Sequence, residues 1–159
     1  MKPFVPCVLA AALALSLGAL SPVAIAADAH QHGHEAAPAK LQLNQGKKWA
    51  TDEPLRRSMV AIREIVRSAP APLHKGTAKP EAYSEVGNRV EAEVGRIVKE
   101  CKLPPDADAQ LHIVVADLGA GADAMKGAKD GKAGRAGLIK VNGAVTAYAS
   151  HFDHPGWKQ

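Results

Sequence analysis

Apolar residues recur at helical spacing in four segments of this chain, and none of these segments alternates apolar and polar residues as a half-buried strand does. In the first segment the spacings of four, three and four place the apolar residues on one helix face. The four stripes are Leu55, Met59, Ile62 and Val66; Tyr83, Val86, Val90, Val94, Ile97 and Cys101; Leu111, Val114 or Val115, Leu118, Ala122 and Met125; and Leu138, Val141, Val145, Tyr148 and Phe152. Since each helix has a single apolar stripe, each must pack against others. We therefore predict an all-α fold, an up-down-up-down four-helix bundle.

Proline, glycine and capping residues predict where these helices begin and end. The first helix starts near Thr51 or Asp52, which are capping residue types, and the proline-rich stretch at 69–72 ends it. The second opens at Pro80 and stops at Pro104-Pro105, and Asp106 is the expected N-cap of the third.

A loop through Gly134 precedes the predicted last helix, which Pro155-Gly156 ends. Because glycine costs about 1 kcal/mol in a helix interior relative to alanine, this helix depends on tertiary contacts. A looser arrangement, in which this helix is only partly formed, is the alternative.

The first 26 residues have the pattern of a secretory signal peptide. Lys2 supplies the positive start, an apolar run extends from Val8 to Leu20, and small residues lead to cleavage after Ala26 or Ala27. We expect a flexible His-rich arm over residues 27–48 and one domain over residues 49–159. The remaining chain has no other long apolar run, so no membrane association is expected after cleavage.

Charge and cysteine content restrict the function further. The chain has 20 Lys and Arg residues against 16 Asp and Glu, interspersed along the sequence, which does not form the basic stripe of a nucleic-acid-binding protein. Without the signal peptide, Cys101 is the single cysteine. No internal disulfide can then form, so packing must hold the fold.

Three histidines alternate in the arm, at His30, His32 and His34. Imidazole suits copper, zinc and nickel, and three imidazoles on a flexible segment can gather around one ion. Cleavage after Ala27 would leave Asp28-Ala29-His30 at the terminus, whose amine, amides and imidazole form a square-planar nitrogen site for Cu(II) or Ni(II).

The up-down-up-down order would collect further ligands at one end of the bundle. These predicted metal ligands are Met59, Cys101, His112, His151 and His154, with Trp49 and Trp157 beside them. The alternatives are structural: Met59 and Cys101 are good core residues, and a terminal histidine such as His151 can cap the end of a helix.

The order of signal peptide, His-rich arm, "LQLNQGKKWATDEPLRRSMVAIREIV", "CKLPPDADAQLHIVVADLGAGADAM" and "HFDHPGW" resembles a family of small exported proteobacterial proteins labelled DnrO. That resemblance implies a periplasmic setting and no catalytic residues.

"PLRRSMVAIREIV" and "AYASHF" are similar to the haem-ligating segments of cytochrome b562. This second resemblance implies a four-helix bundle in which Met59 and His151 ligate haem b. His151 follows Ala147-Tyr148 by three residues, where the cytochrome family has its histidine directly after that pair.

Three functions remain open: a periplasmic metal-binding protein, a b-type haem electron carrier, and a helical interaction module without a cofactor. An enzyme is not expected. The sequence has no Gly-x-Ser-x-Gly, His-Glu-x-x-His, phosphate-loop or dinucleotide motif, and no paired Glu-x-x-His of di-iron bundles. Without Cys-x-x-Cys-His, covalent c-type haem is excluded.

Overall fold

A computed structural model describes residues 40–157 and shows a helical chain. The five helices are α1 (Glu53–Arg67), α2 (Ala71–Lys75), α3 (Pro80–Glu100), α4 (Pro105–Lys126) and α5 (Gly131–His151). Extended pairing within these residues is limited to two isolated bridges, Asn44 with Lys47 and Trp49 with Phe152. The described part of the chain is therefore all-α, as the periodicity predicts.

The predicted apolar stripes form the core. α1 buries Leu55, Met59, Ile62 and Val66, and α5 buries its whole predicted stripe through Phe152. In α4 the buried position is Val114, while Val115 is only partly covered. Val94 and Cys101 of the second stripe also pack at the margin of the core. The helical period thus identifies most of the buried apolar side chains, and it misses Ile65, Leu73, Ala107 and Ala144.

Helix starts follow local chemistry, with two corrections. Asp52 is the N-cap of α1, as predicted, and its side chain accepts a hydrogen bond from the Leu55 N–H. Asp106 is not the N-cap of α4: the helix begins at Pro105, whose fixed φ suits a first helical position. The loop expected through Gly134 is also wrong, because Asp130 caps α5 and the helix begins at Gly131.

Two helix ends and one element also differ from expectation. Cys101 is the C-cap of α3 with extended backbone, rather than part of its last turn. α5 ends at His151, four residues before the expected stop at Pro155, because Phe152 turns extended to pair with Trp49. The short α2 was not predicted, and it ends at Gly76, whose φ of 78° favours glycine.

The helices pack through a shared core. α4 packs against α3 and α5, while α1 packs against α3 and α5. Part of the predicted arm joins them: Leu41 packs against the core, and the Gln42 N–H donates to the Gln110 side chain on α4. Among residues 40–157, no helix combines the length and the apolar character needed to span a membrane.

Candidate functional site

The start of α1 meets the end of α3 through one carboxylate. One oxygen of Asp52, Oδ1, accepts from the Leu55 N–H at 2.9 Å, and the other, Oδ2, accepts from the Lys102 N–H at 2.7 Å. The Cys101 thiol lies 3.5 Å from Oδ1 and donates to it. Partial burial raises the pKa of Asp52, but these three donors outweigh it and the net pKa is lowered. Asp52 therefore joins two helices as an ionised cap.

The same arrangement makes the Cys101 thiol unreactive. Burial raises the pKa of Cys101 to about 12, and the neighbouring charge of Asp52 acts in the same direction. Because the thiolate is the nucleophile and the soft metal ligand, Cys101 remains a protonated hydrogen-bond donor at neutral pH.

Residues before α1 also hold the segment that follows α5. The Trp49 N–H donates to the His151 carbonyl and the Asp153 N–H donates to the Trp49 carbonyl, each at 2.8 Å. The Thr51 hydroxyl donates to the Asp153 carbonyl at 2.6 Å. These bonds fix the direction in which the chain leaves α5.

Beyond α5 the chain forms an aromatic cluster, Tyr148, Phe152, His154 and Trp157. The rings of Tyr148 and Phe152 stack with centroids 5.3 Å apart, and Trp157 lies edge-on to Tyr148 at 5.3 Å. The Arg63 guanidinium lies 4.5 Å from the Trp157 ring centre, a cation–π contact. The cluster closes this end of the core.

His154 belongs to this cluster through its hydrogen bond with Tyr148. The Tyr148 hydroxyl and His154 Nδ1 are 2.9 Å apart. Burial raises the pKa of Tyr148, so its hydroxyl keeps its proton. Burial also lowers the pKa of His154, with Arg56 and Arg63 adding to the effect. His154 is therefore held neutral, in the protonation state that a metal ligand requires.

The other predicted pole ligands lie in separate surroundings. Met59 is fully buried in the core. His151 and His112 each place Nδ1 against the backbone carbonyl four residues earlier, at 2.8 Å for His151 and 2.9 Å for His112. For His151 this is the predicted helix-end role, in which Nδ1 donates to the carbonyl and Nε2 keeps its lone pair.

Two of the predicted ligands share a small cavity. Cys101 and His112 line a space of about 70 Å³ together with Asp108. Within residues 40–157, however, no group of three or more His, Cys, Asp and Glu side chains is placed to hold a metal ion. Ligation by Met59, Cys101, His112, His151 and His154 remains a prediction, and His30, His32 and His34 lie outside the described residues.

Sequence reasoning missed the partners of these groups. The sequence predicts Asp52 as a capping residue. It does not predict the bonds of Asp52 to Cys101 and Lys102, because these residues are 49 and 50 positions away along the chain. The Tyr148–His154 contact spans six residues and depends on α5 ending at His151. α5 ends there because Phe152 pairs with Trp49, a contact that local spacing does not predict.

No protein-family model, curated protein or solved structure matches this chain.

Proposed function

We propose that this protein is an exported, non-catalytic metal-binding protein of the periplasm that captures or buffers copper or a related divalent ion. The observation that carries the proposal is the His30-x-His32-x-His34 tract. Three imidazoles in a polar segment provide the nitrogen ligands that Cu(II), Ni(II) and Zn(II) prefer. The small-residue cleavage site before Ala27 supports export.

The chemistry of the helical domain supports placing the ion on the arm. Cys101 is held as a thiol, and the Met59 sulfur is enclosed by apolar neighbours. The Nδ1 atoms of His112, His151 and His154 already have hydrogen-bond partners. Ligation by Cys101 would require the loss of its proton and of its bond to Asp52. The histidines would keep Nε2 for an ion, but residues 40–157 place no three potential ligands together.

In this proposal the helical domain is the stable body of the protein, with up-down-up-down order. That order is supported by the contacts of Asp52 with Cys101 and of Trp49 with His151. In an up-down-up-down bundle the start of the first long helix lies beside the ends of the second and fourth. Trp49, the first residue after the predicted arm, lies at the end of the bundle that holds His151.

Haem ligation by Met59 and His151 gains no support from the described residues. The Met59 side chain is fully buried, and neither residue lines any of the five principal cavities. A bound haem would require the core around Met59 to open, and cofactor sites are mostly formed in advance.

The test is metal content and affinity of the full mature chain, purified untagged from the periplasm. We expect copper to bind stoichiometrically, and the variant His30→Ala/His32→Ala/His34→Ala to bind at least about a hundredfold more weakly, since it loses its imidazole ligands. The matched control is His74→Ala, which removes an exposed histidine of the helical domain that is not among the predicted ligands.

Equal affinity in the arm variant and the wild type would contradict the proposal. Loss of binding in a variant lacking His151 and His154, with the arm intact, would move the site to the end of the bundle. A Soret band in the purified protein would favour haem instead.

A further inference from the structure

We propose that a groove between α1 and α5 binds an anionic amphiphile, a carboxylate attached to an apolar chain. The α1–α5 groove is defined by Arg63, Arg67, Arg135, Ile139, Asn142 and Trp157. This proposal goes beyond the proposed metal function, because the groove residues belong to the helical domain and not to the arm.

Two cavities make up this groove. One of about 330 Å³ lies beside α2 and α5, and one of about 290 Å³ extends toward Trp157. Arg67 and Asn142 line both cavities, so the two spaces adjoin along the junction of the helices. Each volume is at the lower end of the range of small-molecule sites, which starts at about 300 Å³.

The charge of the groove is of one sign. Arg63, Arg67 and Arg135 line it, and no aspartate or glutamate of residues 40–157 does so. Arg63 and Arg67 both pair with Glu64, at 3.3 and 3.8 Å, and Glu64 lines a different cavity. A site with guanidinium groups and no lining carboxylate is complementary to an anion.

Arg135 is the best-positioned group for an anionic head. Its Nε donates to the His74 carbonyl at 2.6 Å, which fixes the guanidinium against the end of α2. No carboxylate in the described part of the chain forms an ion pair with it. A guanidinium so held can offer its terminal N–H groups to both oxygens of a carboxylate.

Apolar side chains supply the rest of the surface. Ile139 is an unusually exposed large apolar residue, 52% accessible, and it lies on the groove beside Leu138. At the other end the groove reaches Val145 and the Trp157 ring. Since burying apolar area is favourable at about 25 cal/mol per Å², an alkyl chain lying along this path would be stabilised while its carboxylate meets the arginines.

The test is calorimetric titration of the metal-free full mature chain with dodecanoate below its micelle concentration. We expect saturable binding that weakens roughly tenfold or more in Arg67→Gln/Arg135→Gln, because two charge-assisted contacts are lost. Arg89→Gln/Lys132→Gln removes the same charge from exposed positions outside the groove and should bind as the wild type does. Ile139→Ser should also weaken binding, and circular dichroism confirms folding of each variant.

Parallel titrations distinguish the contribution of the ligand's carboxylate from that of its alkyl chain. Acetate and inorganic phosphate should bind far more weakly than dodecanoate, and so should dodecyl maltoside, a neutral amphiphile with the same chain. Unchanged dodecanoate affinity in Arg67→Gln/Arg135→Gln, equal binding of the neutral amphiphile, or no binding at all would each overturn the proposal. So would a dimer in sedimentation that dissociates in the arginine variant, since a second copy would then occupy the groove.

Discussion

α5 contacts two of its neighbours, α4 and α1, in opposite ways. Against α4 it presents buried Gly137, and the facing residue is buried Gly121, so the two backbones approach closely. Against α1 it presents Asn142 and Thr146, which face Arg63 and Arg67 across open cavities. Small residues produce a closed junction, and long polar residues leave a groove. The same helix therefore contributes to the rigid core on one side and to a candidate binding surface on the other.

The largest effect is expected from closing the space between the glycines. A Cβ at Gly137 would lie 2.8 Å from the Gly121 carbonyl oxygen and 2.8 Å from the Met125 backbone nitrogen, atoms that cannot move independently. We expect Gly137→Ala to lower the free energy of unfolding by about 2 kcal/mol, because overpacking outweighs the helix propensity that alanine gains. Urea denaturation of the purified protein measures this difference.

Gly143→Ala is the matched control on the same helix. A Cβ there would meet nothing within 4 Å. Alanine should then raise the free energy of unfolding by about 0.5–1 kcal/mol through propensity alone. Equal effects of the two substitutions would contradict the close approach of α4 and α5.

A smaller effect is expected from the N-cap that joins α1 to α3. Asp52→Ala should lower the free energy of unfolding by about 1 kcal/mol or somewhat more, since the capping bond to Leu55 is lost together with the bond to Lys102. Asp130→Ala removes the comparable cap of α5, which accepts only from Ala133 among the described hydrogen bonds. We expect Asp130→Ala to lower the free energy of unfolding by less than Asp52→Ala does. Urea denaturation of both variants at pH 7 measures the two changes.

Asp52 also predicts a dependence on acid. Its pKa in the folded protein is lowered from the ordinary 3.8. The stabilisation is therefore present above that ordinary value and is lost as the pH falls through the lowered pKa. The difference between wild type and Asp52→Asn in unfolding free energy should stay constant from pH 7 to about pH 4 and shrink as the pH falls below the ordinary 3.8. A constant difference would show that ionised Asp52 is not the stabilising form.

The smallest effect is expected at His154, where the aromatic cluster borders the groove through Trp157. Burial lowers the pKa of His154 below the ordinary 6.5, so the unfolded chain takes up a proton more readily than the folded one. Stability from the neutral ring is present above pH 6.5 and declines as the pH falls through the folded value. His154→Gln should reduce the loss of stability between pH 7 and pH 5. If His154→Gln lost as much stability as the wild type between pH 7 and pH 5, the loss would be due to other groups.

Periodicity predicts the helices and most of the core because each stripe is a local pattern, as Met59 in α1 and Leu118 in α4 illustrate. It does not predict the two junctions of α5. Gly137 appears in the sequence as a weak helix residue, and only its contact with Gly121 explains it. The groove brings Arg67 and Arg135 to one cavity, although they are 68 positions apart in the sequence. Such contacts are properties of packing, which local spacing does not encode.

The most direct test of the proposed function is the electron paramagnetic resonance spectrum of the mature chain loaded with one equivalent of Cu(II). If the arm holds the ion, the spectrum will show nitrogen hyperfine coupling that disappears in His30→Ala/His32→Ala/His34→Ala and persists in Met59→Leu/Cys101→Ser. A spectrum that survives loss of the arm histidines, or that changes when the two sulfur residues are replaced, would contradict metal capture by the arm.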